Sequence, residues 1–138
     1  MNRIFFFVVF ILIVLESCLY QNYPYNAIVL SFLGYLAYKN ISRALVWTFF
    51  ILLVIGINNE NMVFFLAYSI IIHYVYKHMA YKSLNLIFIS LLETLLFISY
   101  IYFFKIQEVL FWIWIKEFFF VFFYNIVFYY YENEISDR

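Results

Sequence analysis

Six apolar runs, each followed by a break of only a few polar residues, leave this chain little choice but to fold as helices packed side by side. The runs cover about residues 4–20, 25–38, 41–57, 62–77, 84–104 and 109–131, separated by "QNYP", "YKNISR", "NNEN", "YKHMAYK" and "FKIQE". Gly 2 and Pro 1 in 138 residues leave almost no turn vocabulary, so the connections must be short. A helix needs about 20 apolar residues to cross the hydrocarbon core, within a range of about 17–25. The second and fourth runs fall short of that. They need shielding by neighbouring helices, snorkelling flanks or a locally thinned bilayer. The competing count is five spans, with 25–38 partly re-entrant.

The chain is 69% hydrophobic and 12% charged, where a soluble domain carries about 25% charged residues. That leaves no room for a water-soluble domain. The expected architecture is one all-α integral membrane domain over residues 1–138, with about six transmembrane helices in one bundle. A net charge of zero argues against nucleic acid as a partner. The 20 Phe and 15 Tyr fit lipid-facing filler better than a ligand cage. Cys18 is the single cysteine, which excludes an internal disulfide, a cysteine zinc site and an iron–sulfur cluster. No cofactor is expected.

"LESC" at 15–18 is like a lipoprotein cleavage box, but Glu16 fits poorly beside a lipidated cysteine and no soluble domain follows. Residues 4–20 are therefore taken as the first span. With the amino terminus cytoplasmic, the inner segments hold Arg3, Lys39, Arg43, Lys77, Lys82 and Arg138, and the outer loops hold only Lys105. Excess positive charge stays inside. Both termini are thus expected on the cytoplasmic side of the membrane.

Charges within the apolar runs need a reason, since one at the bilayer centre costs at least about 2.5–3.5 kcal/mol. Glu93 lies about nine residues into the fifth run, roughly 13 Å deep at 1.5 Å per residue. Lys116 lies about as far into the sixth, which runs antiparallel, so the two could pair at matching depth. Alternatively, Lys116 and Glu117 snorkel to the outer interface, with Trp112 and Trp114 as the aromatic belt there. Adjacent helical residues point about 100° apart, so Glu117 cannot share the direction of Lys116. Structural pairing of Glu93 is favoured over proton carriage, because Ser90, Thr94 and Ser99 nearby can bond their own backbone. Glu16 is expected to reach the headgroups, and His73 to be interfacial. Ala27, Ser31 and Gly34 share one helical face whose small side chains permit close packing, within the bundle or against a partner.

No Ser/His/Asp arrangement, HExxH, GxGxxG or phosphate-binding loop is present. The tail "YENEISDR", with Glu132, Glu134 and Asp137, fits a solvated segment better than a metal site. The residues point to no catalyst.

The stretch "FFFVFFYNIVFYYYENE" resembles the last helix of the rod shape-determining protein MreD family, where an aromatic-Asn step lies near the cytoplasmic exit. Here that step is Tyr124–Asn125. "YQNYPYNAIVLSFLGYLAY" and "FFILLVIGINNENMVFFLAYSIIIHYVYKH" match the family's layout: Pro24 opens the second span, and Gly56 with a polar turn joins the third to the fourth. The family commonly has more glycines and an aspartate at that turn, where this chain has Asn58 and Asn59. The resemblance implies a non-enzymatic scaffold subunit of the bacterial cell-wall elongation (rod) complex, supporting cell shape and peptidoglycan synthesis. Implied partners are an MreC-like single-span protein, MreB, and a synthase of the RodA and penicillin-binding-protein type. Asn125 would hydrogen-bond a neighbouring helix, in the bundle or in a partner. The family also resembles the substrate-binding membrane subunits of energy-coupling-factor transporters. The alternative function is therefore a vitamin-type transport subunit, with Glu16, Glu60, Lys105, Glu108 and Glu117 as pocket candidates.

Overall fold

The computed structural model describes residues 3–19, 27–55, 59–79, 81–104 and 111–136. Among these the chain is all helical, without a strand: α1 (Arg3–Leu19), α2 (Ala27–Lys39), α3 (Ile41–Ile55), α4 (Asn59–His78), α5 (Ser83–Phe104) and α6 (Phe111–Ser136). The helices fall on the six apolar runs, and α2 is one uninterrupted helix. Two stretches, Leu84–Phe103 in α5 and Phe111–Glu134 in α6, are long and apolar enough to cross a membrane. Pro24, Gly56 and Asn58, which carry part of the family resemblance, lie outside the described residues.

The α2 helix is the axis of the molecule. Every residue from Ala27 to Ala37 is buried, and α1, α3, α4 and α6 all pack on it. A helix that is apolar all round has no face suited to water, and enclosure on every side is the arrangement that suits it. Its 13 residues reach only about 20 Å at 1.5 Å per residue, so longer helices overlap it at both ends. Its small residues make the enclosure tight. Ala27, Ser31 and Gly34 are all buried, and the Ser31 hydroxyl donates to the Val121 carbonyl of α6 at 3.2 Å. The face therefore packs within the chain and is not offered to a partner.

One end of the bundle gathers the starts of α1, α3 and α5 and the ends of α2, α4 and α6. It carries Arg3, Lys39, Arg43, Lys77 and Lys82 and is called the basic end here. Asn40 alone joins α2 to α3. Its amide donates to Leu36 O at 2.7 Å, extending α2, and its Oδ1 accepts the Ser42 amide at 2.9 Å, capping α3. Tyr81, between α4 and α5, stacks on Tyr38 with ring centroids 4.2 Å apart and meets Tyr76 and Tyr129 edge to face. Lys39 pairs with Glu132, which also accepts the Tyr35 hydroxyl at 2.8 Å. Glu132 thus belongs to the packed end of α6 and not to a solvated tail; Asp137 lies outside the described residues.

Elsewhere the usual distribution of residues is inverted. Phe7, Ile11, Phe49, Leu53, Phe88, Phe119 and Phe123 are exposed, while Ser31, Thr48, Ser69, Ser90, Glu93, Thr94, Glu117 and Asn125 are buried. Thr48 and Thr94 donate to the carbonyls four residues back, Ala44 at 2.7 Å and Ser90 at 2.8 Å. This is the self-satisfying bond open to hydroxyls on helices.

Candidate functional site

The polar centre of the molecule is built around Glu93, which is fully buried midway along α5. Four helices contribute to it. From α4, the Tyr68 hydroxyl lies 2.5 Å from Glu93 Oε2 and 2.7 Å from the Leu30 carbonyl of α2. From α6, Asn125 Nδ2 donates to Glu93 Oε1 at 3.2 Å and to Ser90 Oγ at 2.9 Å. From α2, Gly34 leaves the space the carboxyl fills: a Cβ there would stand 3.3 Å from Oε1 and 3.4 Å from Oε2. Glycine suits this point because the α2 backbone and a carboxyl on α5 approach so closely that a Cβ would press on the carboxyl.

The proton count is informative. Tyr68 has one hydroxyl proton and two oxygens within bonding distance, and the Leu30 carbonyl can only accept. Both contacts are hydrogen bonds at once only when Glu93 itself carries a proton. Glu93 then donates to Tyr68, Tyr68 donates to Leu30, and Asn125 donates to the remaining carboxyl oxygen. Both carboxyl oxygens of Glu93 and the Tyr68 hydroxyl then have partners without a cation, which suits a buried site.

The expected pair of Glu93 with Lys116 does not form. Lys116 is exposed, whereas Glu93 is fully buried and bonded by Tyr68 and Asn125. Neither depth nor direction matches: Asn125, which meets Glu93, lies nine residues further along α6 than Lys116, about 13 Å at 1.5 Å per residue, and Lys116 is left outside. Asn125 bonds within the bundle, at its centre, rather than to a partner. Tyr68 was not anticipated from the sequence, since nothing distinguishes it among 15 tyrosines. His73 Nδ1 lies 2.8 Å from the Ala37 carbonyl, so it bridges α4 to α2.

A second acidic group occupies the end opposite the basic one. Glu117 is 1% exposed, and neither carboxylate oxygen has a hydrogen-bond partner. Glu16, near the end of α1, accepts the Ile28 amide of α2 at 3.4 Å through Oε2, while its Oε1 is buried without a partner. It therefore faces the start of α2 rather than the surroundings, contrary to expectation. The buried indole N–H of Trp114 is also unpartnered. The side chain of Glu60, and Lys105 and Glu108, lie outside the described residues.

Among the described residues, no group of three or more His, Cys, Asp or Glu is placed to hold a metal ion. The Glu93 cluster can lock four helices in one register. No known protein family, characterised protein or solved structure matches the chain.

Proposed function

We propose that this chain is a six-span membrane protein with its basic end in the cytoplasm. We further propose that it serves as a non-enzymatic scaffold subunit of a bacterial cell-wall elongation complex, contacting an MreC-like single-span partner within the bilayer. The observation that carries this reading is the division between interior and exterior. The polar side chains at the centre are consumed in holding α2, α4, α5 and α6 together, whereas the outside offers broad apolar flanks: Ile4, Phe7 and Ile11 on α1, Phe49 and Leu53 on α3, Phe119 and Phe123 on α6. Large exposed apolar surface calls for lipid or a partner. The resemblance of "FFFVFFYNIVFYYYENE" to the last MreD helix supports the family. The basic end supports the orientation. Enclosure of the short α2 by longer helices removes the difficulty of its length.

The test is a pull-down of tagged protein from its native cells in mild detergent, with partners identified by mass spectrometry. An MreC-like protein together with wall-synthesis enzymes is the expected result. Paired ATPases with a coupling membrane subunit would replace the scaffold reading with the transport one. A carboxy-terminal fluorescent-protein fusion that fails to fluoresce, while an alkaline phosphatase fusion is active, would overturn the orientation.

A further inference from the structure

Where α1 and α3 begin, at the basic end, the two helices leave a cavity of about 380 Å³ between them. It is lined by Phe6 of α1 and by Ser42, Arg43, Val46 and Trp47 of α3. Helical spacing gathers this lining. Ser42 and Val46 are four residues apart, as are Arg43 and Trp47, so the four share one side of the first two turns of α3. Phe6 closes the α1 side, its ring stacked on Trp47 with centroids 5.8 Å apart. Phe32 of the enclosed α2 meets both rings from behind. The aromatic floor is therefore anchored to the core.

The lining has two kinds of chemistry. Arg43 and Ser42, both exposed, offer a guanidinium fork and a hydroxyl to an oxyanion. Phe6, Val46 and Trp47 offer apolar surface. Beyond the cavity, Val46, Phe50 and Leu53 continue as an exposed track along α3, kept on one face by spacings of four and three residues. Among the described residues no acid lines the cavity, so nothing there receives the ammonium of a zwitterionic head group. A free phosphate would leave the aromatic floor and the track uncovered. A phospholipid carries an oxyanion and a hydrocarbon chain in the order that the site presents them. Basic pockets between membrane helices at the cytoplasmic face suit anionic head groups, and the volume lies within the range of about 300–1,000 Å³ for small-ligand sites.

We propose that this cavity binds an anionic phospholipid, with its phosphate held by Arg43 and Ser42 and an acyl chain running over Trp47 and Val46 toward Leu53. Such a site depends on the membrane-spanning reading above and is independent of the scaffold role.

The experiment uses the full chain in dodecyl maltoside micelles. Dioleoyl phosphatidylglycerol, dioleoyl phosphatidylcholine or sodium phosphate is added at constant ionic strength, and the melting temperature is followed. Binding to the folded state raises it saturably. The expected result is a saturable rise with phosphatidylglycerol that neither phosphatidylcholine nor phosphate reproduces. Trp112→Phe with Trp114→Phe leaves Trp47 as the single tryptophan. Phosphatidylglycerol brominated near the head of its chains should quench that fluorescence over the same concentrations. Arg43→Gln should raise the half-saturating concentration at least about tenfold, and Ser42→Ala about threefold. Lys82→Gln, at the same end but outside the cavity, should leave it unchanged. Equal responses to the two lipids would overturn the lipid site, as would a wild-type response in Arg43→Gln. A phosphate response equal to that of phosphatidylglycerol would replace the lipid with a free anion. A chain that stays monodisperse after detergent is removed would overturn the membrane reading, and the site with it. The wild-type lipid comparison and the Trp47 quenching stand by themselves if a cavity variant does not fold.

Discussion

Glu93 and Glu117 are both buried carboxyls on helices of the same bundle, yet their surroundings are opposite. Glu93 is met by a hydroxyl from α4, an amide from α6 and the space left by a glycine on α2. Glu117 is met by no hydrogen-bond partner. The contrast shows that burial does not define the role of a polar group. A satisfied group ties helices together, while an unsatisfied one is a standing cost.

That contrast can be broken most directly at Glu93. Glu93→Ala removes the acceptor for Asn125, separates Tyr68 from α5 and leaves a cavity. It should destabilise the protein by about 2–4 kcal/mol in a detergent-micelle unfolding titration. Glu93→Gln should stay within about 1 kcal/mol of wild type, since its amide can donate to Tyr68 and its oxygen can accept from Asn125. An equally large loss in the glutamine variant would show that the group is held as an anion.

The opposite sign is expected at Glu117. Glu117→Leu should stabilise by about 1–3 kcal/mol in the same unfolding titration, because an apolar side chain replaces a buried acid without a hydrogen-bond partner. A loss of stability there would reveal a partner for the carboxyl and collapse the distinction between the two sites.

Finer tests sharpen the Glu93 side. Tyr68→Phe keeps the ring and removes the link from α4 to both α2 and α5, at a cost of about 1–2 kcal/mol in thermal melts. Gly34→Ala sets a Cβ against the carboxyl and should cost about 1 kcal/mol, because the overlap exceeds the helix preference for alanine. In a Glu93→Ala background the same change should become neutral or stabilising. Additive behaviour in that double-mutant cycle would show that the two residues do not press on each other. The smallest effect belongs to the basic end. Lys39→Met removes a partly exposed ion pair with Glu132 and should cost no more than about 1 kcal/mol, with a dependence on salt that the Glu93 variants lack.

Some of the site was visible in the chain before its fold was known. Glu93 and Asn125 stand out because each is a polar residue inside an otherwise apolar run, and both prove central. Gly34 stands out because the chain has so few glycines. Tyr68 does not, since a tyrosine in this composition carries no signal. The meeting of Glu93 with Lys116 failed for an instructive reason. Rise per residue gives depth only once the offset between neighbouring helices is known, and Asn125, which meets Glu93, lies nine residues beyond Lys116, about 13 Å along α6. A single step from Lys116 to Glu117 turns an exposed cation into a buried acid.

The sequence by itself determined the number of helices, their approximate limits and the gathering of basic residues at one end. Apolar run length and the position of polar breaks are local properties, and the covalent chain carries them whatever packs around it. The tertiary structure alone decided that α2 lies at the centre, that Glu93 meets Tyr68 and Asn125, and that Glu117 faces inward. These helices are apolar nearly all round, so no periodic stripe announces which face turns in. Their rotation is set by close contacts between residues far apart in the chain, Gly34 against Glu93 above all, and such contacts exist only once the helices have packed.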